Sequence, residues 1–311
     1  MLTNEIPDRY VNPYTDFGFK LLFGTPMNKD LLIGFLNSLL HLEHEITDVT
    51  YLNAEHLGMT EFDRKAVFDV YCENTAGEKF IVEMQKAGQK FFKDRSVFYA
   101  SFPIREQSKR GDWDYELKAV YTVGILNFVF DENRDDENYF HHEVKLMDIH
   151  RKEVFYDKLT FVYLEMPKFH KREDELVTLF DKWMFVLRNL SRLLERPAAL
   201  QERVFTRLFE AAEIAKFTPR KRMEYEESLK VYRDLTNVID TAEWKGEQRG
   251  LEKGLEKGRE EGRKEGREEG IKKGKLEDAE NLLRLGVSPE IISKATGLSL
   301  KAINDLKMKL E

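Results

Sequence analysis

The stretch FDVYCENTAGEKFIVEMQ, residues 68–85, is two runs of strand-forming residues joined by a polar turn, and it constrains the fold more than any other part of the chain. Taking TAG (75–77) as a three-residue loop predicts an antiparallel hairpin in which Asp69 stands opposite Glu83. Alternation then puts Ala66, Phe68, Val70 and Cys72 on one face with Phe80, Val82 and Met84, and Asp69 on the other with Glu83 and Gln85. The first is a core face. The second gathers two carboxylates and an amide within about 5 Å of one another. Ionised carboxylates on a sheet face lose solvation and repel at that separation unless something positive offsets them. Two arrangements meet this condition. Either the face stays wet, or it holds a hard divalent cation, Mg²⁺ or Mn²⁺, with waters completing its shell.

The flanking segments extend the hairpin into a larger sheet. After a Gly-Thr-Pro breaker, NKDLLIGFLNSLLHL has a helical stripe of Leu31, Leu32, Phe35, Leu36 and Leu39. KFFKDRSVFYASFPIREQSKRG predicts a second helix, bent or divided by Pro103. KAVYTVGILNFVF (118–130) is the strongest strand signal, and VKLMDI and LTFVYLEMP are further strands. DENRDDENYFHH is expected to be a surface loop. His141 and His142 are then a solvated pair, since His56, the other nearby histidine, lacks metal-ligand spacing. Beyond Lys171 the period turns helical through EDELVTLFDKWMFVLRNL, ALQERVFTRLFEAAEIAKF and a polar helix from near Pro219. Helix, hairpin, helix, strands and more helices predict an α/β domain with a mixed sheet over residues 1–240.

Charge restricts the partners. The 311 residues carry a formal net charge of −7, so overall charge does not advertise a nucleic-acid binder. Residues 1–244 hold the excess of acid, at −9, and the rest is +2. DNA binding by the larger part would need a local groove and a divalent cation. The single cysteine, Cys72, excludes an internal disulfide and reads as a small buried hydrophobe, which suits a reducing compartment. Neither a secretion signal nor a run of ~20 apolar residues is present, so a cytoplasmic protein without a membrane span is expected.

The C-terminal part follows another pattern. Over residues 241–275, Gly recurs at 246, 250, 254, 258, 262, 266, 270 and 274 among Glu, Lys and Arg. A helix there gives up ~1 kcal/mol of propensity per Gly relative to Ala. A linker that becomes helical against a partner, a Gly-faced helix for homo-oligomer formation, and phosphate binding by the basic residues are the three readings. Residues 276–311 form a small helical unit. Ser288 and Pro289 start one helix, Gly297 makes a turn, Ser299 starts another, and Ile292, Ala295, Leu298 and Ile303 are the expected core. The pattern matches a helix-turn-helix, and its readings are DNA recognition, oligomerisation or plain packing.

TDFGFKLLFG, FDVYCENTAGEKFIVEMQ and RSVFYASFPIREQSKRGDWDYELKAVYTVGILNFVF together resemble the recombination-promoting nucleases and putative transposases, a branch of the PD-(D/E)xK nuclease superfamily, over roughly residues 8–240. The resemblance implies a restriction-endonuclease-like core, a mixed sheet flanked by helices with the C-terminal helical extension beyond it. It also implies a Mg²⁺-dependent DNA endonuclease linked to recombination or a mobile element. By the same resemblance Asp69 and Glu83 bind the metal, Asp16 is a third acid from the leading helix, and Lys20 follows it one turn on. Gln85 stands where the superfamily often has Lys, although this branch commonly has Glu-x-Gln. Glutamine is neutral and only orients a water or donates a hydrogen bond, so Lys20 is the expected source of positive charge. Tyr99, Gln107, Tyr115 and Lys118 resemble recurrent family positions that line or support a groove. The alternative is a catalytically weak or inactive nuclease-fold protein that binds nucleic acid or self-assembles.

Overall fold

The computed structural model describes residues 8–53, 55–56, 66–108 and 114–310. Its strands are β1 (Val49–Tyr51), β2 (Glu55–His56), β3 (Ala66–Val67), β4 (Val70–Asn74), β5 (Lys79–Gln85), β6 (Val120–Leu126), β7 (His141–Asp148) and β8 (Glu153–Glu165). Six of them make one sheet in the order β1-β4-β5-β6-β8-β7, and β2 pairs only with β3. The sheet is mixed: β5, β6 and β8 are mutually parallel, and β1/β4, β4/β5 and β7/β8 are antiparallel.

The β4/β5 hairpin forms for local reasons. Asn74 Oδ1 accepts from the N–H groups of Ala76 and Glu78, each at 3.0 Å, and Gly77 takes the left-handed conformation at φ +83° that closes the loop. Its core face carries Val70, Cys72, Phe80, Val82 and Met84, joined by Val123, Ile125, Val162 and Leu164 of the neighbouring strands. Phe68 departs from the expected alternation. It packs with Tyr71, Ile81 and Phe102 on the other side of the sheet, because a bend at Asp69 precedes β4 and breaks the two-residue period.

Helices cover both faces. On the first lie α1 (Asp16–Phe23), α2 (Lys29–Leu39), α4 (Leu179–Asn189) and α5 (Arg203–Ala212). The expected stripe of α2 is buried in full, and Phe23, Phe35 and Phe205 surround Trp183 with ring centroids 5.1–5.9 Å away. α3 (Phe92–Glu106) covers the second face without being divided at Pro103; Phe92 and Ala100 pack on Val120, Leu126, Phe161 and Tyr163. The buried Ser96 Oγ and Tyr163 Oη are 2.6 Å apart, which ties α3 to β8.

Several boundaries differ from the sequence reading. α4 starts at Leu179, after a short 3₁₀ turn at Glu173–Glu175, because Thr178 and Asp181 cap it reciprocally: Thr178 Oγ1 accepts from Asp181 N and Asp181 Oδ2 from Thr178 N. His141 and His142 are not a solvated loop pair. They open β7, opposite Leu164 and Tyr163, and are half-buried; the side chain of His56 lies outside the described residues. β8 is longer than expected, because its first half pairs only with β7, through a bulged ladder.

The chain divides into two compact units, Met1–Thr236 and Asn237–Glu311. The glycine-period segment is helical, within α6 (Pro219–Arg284). In the first unit, α6 fixes the approach to α1: Asn12 N donates to Tyr225 Oη at 3.0 Å and Phe17 N to Ser228 Oγ at 3.1 Å. In the second unit α7 (Pro289–Thr296) and α8 (Leu300–Leu310) close a small core of Ala279, Ile292 and Ile303, with Leu298 partly buried. Ala295 is exposed there. Thr296, one turn beyond Ile292, faces inward in its place and donates to Ile292 O.

Candidate active site

The β4/β5 ladder begins with Val70 opposite Val82, and Asp69 and Glu83 are the residues that adjoin this first pair. Asp69 sits in the bend before β4, where its Oδ2 accepts from the Met84 N–H at 2.8 Å. Glu83 belongs to β5 and is 5% exposed. Burial pushes the Asp69 carboxyl above its ordinary value against the pull of the Met84 N–H; Asp16 adds to the rise, and Lys20 and Lys86 oppose it. Burial lifts Glu83 further, to about 7, although the nearby Arg95 pulls it down; the Asp69 charge adds to the rise. Two nearby carboxylates are thus desolvated, and the Asp69 charge disfavours ionisation of Glu83.

The cation bonded to Glu83 comes from α3. Arg95 Nη2 donates to Glu83 Oε1 at 3.2 Å, Nη1 donates to Gln89 Oε1 at 2.9 Å, and the guanidinium lies 4.8 Å from the Tyr99 ring centroid. Its buried Nε has no hydrogen-bond partner among the described residues. Gly124 is the ladder partner of Glu83 on β6 and lets the aromatic rings of α3 and β8 close over the strand, since a Cβ there would lie 3.4 Å from the Phe92 ring and 3.2 Å from that of Tyr163. The sequence reading passed over Arg95 and Gly124. The signal for Arg95 was its position one helical turn before Tyr99, which places both on one face of α3.

The remaining candidates are placed as follows. Gln85 ends β5 and is half-buried; its Nε2 donates to Ala87 O at 3.2 Å. Asp16 opens α1, where Thr15 caps the helix by accepting from Gly18 N. A Cβ at Gly18 would lie 2.2 Å from Asn12 O, so this turn requires glycine. Asp16 is exposed and pairs with Lys20 at 3.0 Å. Gln107 is bonded elsewhere, its Oε1 accepting from Lys118 N at 2.7 Å and its Nε2 donating to Pro103 O and Lys118 O. Lys118 precedes β6, at the end of the sheet away from Glu83, and Tyr115 is exposed with φ +63°.

A divalent cation suits the Asp69–Glu83 pair on one observation: the arginine beside them bonds Glu83 alone, Asp69 has a backbone N–H in its place, and a further positive charge would favour the ionised form of both carboxylates. Among the described residues no group of three or more His, Cys, Asp or Glu converges as a ligand set. The fit is therefore to an ion held by two carboxylates and completed by water or phosphate oxygens.

Neither a curated protein nor a solved structure matches the chain. Residues 13–242 match the sequence model of the PD-(D/E)XK nuclease family transposases, a span that includes the whole sheet and α1 to α5, and by that match the chain belongs to this family.

Proposed function

We propose that the protein is a metal-dependent endonuclease that hydrolyses DNA phosphodiester bonds, acts in the cytoplasm, and serves recombination or a mobile element. The observation that carries this reading is the desolvated Asp69–Glu83 pair, one acid in the bend before β4 and the other in β5, within a chain of nuclease family membership. Asp69 and Glu83 would hold Mg²⁺ or Mn²⁺. When bound, such an ion supplies a water of lowered pKa and polarises a phosphate oxygen. Arg95 fixes the orientation of Glu83 through their hydrogen bond. Asp16 and Lys20 act on Asp69 through charge from α1. Gln85 has a second amide hydrogen, beside the one given to Ala87 O, with which to orient a water.

A second reading is a nuclease-fold protein without turnover, acting in nucleic-acid binding or self-assembly. It is favoured by the absence of three convergent metal ligands among the described residues. One assay separates the two: incubation of supercoiled DNA with Mg²⁺, Mn²⁺ or EDTA, comparing the wild type with Asp69→Ala. Metal-dependent nicking lost in the variant supports the nuclease. No nicking with either ion supports the second reading.

A further inference from the structure

The exposed side of α3 and the turn before it carry a surface that the phosphodiester chemistry does not use. Phe91 is 64% exposed and Phe98 is 46% exposed, although most large aromatic side chains of this unit are buried. They stand seven residues apart, two helical turns and about 10 Å along one face. Together with Lys90 and Arg95 they line a depression of about 620 Å³. Lys90 Nζ lies 5.4 Å from the Phe91 ring centroid. The same depression includes Tyr99 and Arg95, and Arg95 bonds Glu83, so one residue links this surface to the carboxylate pair.

Charge identifies what fits there. Residues 86–99 hold four cations, Lys86, Lys90, Lys93 and Arg95, against one acid, Asp94, which also lines the depression; Lys93 is paired with Glu132 and Arg95 with Glu83, and an excess of positive charge remains through Lys86 and Lys90 in a chain whose net charge is −7. An apolar protein partner would gain nothing from that local excess, whereas a polyanion would. A simple polyanion would in turn make no use of exposed phenyl rings. Cations that follow a backbone, interleaved with aromatic rings, suit a nucleic-acid strand whose bases are free to stack. A paired duplex keeps its base faces covered and could offer this surface only phosphates.

We propose that Phe91 and Phe98 form a stacking platform for unpaired bases, and that the substrate reaches the Asp69–Glu83 pair as a single-stranded segment of DNA with its backbone along Lys86, Lys90 and Arg95. This deepens the nuclease reading and rests on it for the strand's destination at Glu83. Base stacking supplies affinity without sequence preference, and the lysines supply a salt-sensitive component.

The test measures strand binding separately from cleavage. Full-length Asp69→Asn protein in EDTA is titrated, by fluorescence anisotropy, with a labelled oligothymidine strand, a duplex of equal length, and an abasic strand of equal charge. The platform predicts tightest binding to the oligothymidine strand and a large loss with the abasic strand. Added Phe91→Ala and Phe98→Ala should weaken binding of the oligothymidine strand by about tenfold or more. Added Phe91→Tyr and Phe98→Tyr should retain it, which separates stacking from a folding defect. Equal affinity for thymidine and abasic strands, or equal loss in the alanine and tyrosine variants, overturns the platform. Nicking of supercoiled DNA by the wild-type protein is scored in parallel. If nicking fails while binding to the oligothymidine strand still depends on the two rings, the nuclease reading falls and the platform stands.

Discussion

Arg95 Nη2 lies 3.2 Å from Glu83 Oε1, so the buried carboxylate of β5 is held by a guanidinium from the helix above the sheet. The arginine is shared with Gln89 and with the Tyr99 ring, and Glu83 is still pushed up to about 7. One cation is therefore too little for this site. Replacing it with Arg95→Met should leave Glu83 buried without its bonded charge, raise its pKa further and weaken metal binding. Calorimetric titration of Mg²⁺ or Mn²⁺ should show a lower affinity at pH 7 that recovers in part at pH 8.5, whereas an unchanged affinity would mean that Arg95 does not position Glu83.

A pH dependence follows for the metal-free protein. The folded-state pKa of Glu83, about 7, lies above the ordinary carboxyl value of 4.5. Below 4.5 both folded and unfolded states hold the proton, and the group is neutral in its effect. Between 4.5 and 7 the unfolded chain gives up the proton first, so stability falls as pH rises through that window and levels off above it. A shift of this size corresponds to about 3 kcal/mol at most. Glu83→Gln keeps an oxygen for Arg95 and removes the titration. Its melting temperature should exceed that of the metal-free wild type at pH 8 and approach it at pH 5. Equal gains at both pH values would assign the effect to another group.

Asp69→Asn should abolish metal-dependent nicking while changing thermal stability little. The amide oxygen still accepts from Met84 N–H, and the repulsion felt by Glu83 is relieved as the ligand is lost. Nicking by the purified variant at the wild-type rate would exclude Asp69 from the chemistry. Gln85→Lys should fold and retain activity, since Gln85 is only half-buried and spends its amide on Ala87 O. Misfolding of that variant, read by circular dichroism, would make position 85 structural.

These residues also show what was legible before any coordinates. The hairpin was readable because its information is local: Asn74, Gly77 and the alternation from Val70 onward lie within a few residues of one another. Phe68 was misread because a bend at Asp69 interrupts the period, and nothing in FDV announces a bend. His141 and His142 looked like loop residues because the acids before them dominate the composition, whereas their strand pairing is with Leu164 and Tyr163 far along the chain. Arg95 had no local signal of its partner, because its contact with Glu83 depends on how α3 lies across β5, set by Phe92 and Ser96 against Tyr163. The burial of Glu165 likewise had no signal within LTFVYLEMP. This fully buried acid is held by Lys168 at 2.7 Å and accepts from Phe130 N at 2.7 Å.

That pair yields a stability prediction. Glu165 and Lys168 are both buried, and Lys168 Nζ also donates to Asn133 O and Tyr139 O, which fixes the connection between β6 and β7. Lys168→Met removes the charge and strands the carboxylate, at a cost of about 3–5 kcal/mol. Urea unfolding should show this loss, and Glu165→Gln combined with Lys168→Met should recover part of it. If the double variant is no better than the single one, the loss comes from the freed backbone carbonyls.

The last prediction concerns the glycine-period segment of α6. None of its eight glycines has an atom within 4 Å of where a Cβ would stand, so nothing within the chain requires glycine there. In an isolated chain each Gly→Ala change should strengthen the helix by ~1 kcal/mol. A ridge of eight such residues persists against that preference if two backbones must approach closely, as in self-association. We therefore expect the eight-alanine variant to gain helicity by circular dichroism and to lose oligomeric state by light scattering. Truncation after Thr241 should likewise lose the oligomer, yet stay folded and keep metal-dependent nicking, because Asp69, Glu83 and Arg95 belong to the unit that ends at Thr236. If the alanine variant keeps the wild-type oligomeric state, the ridge is not the contact. If truncation destroys cleavage of a short oligonucleotide, the chemistry extends beyond the first unit.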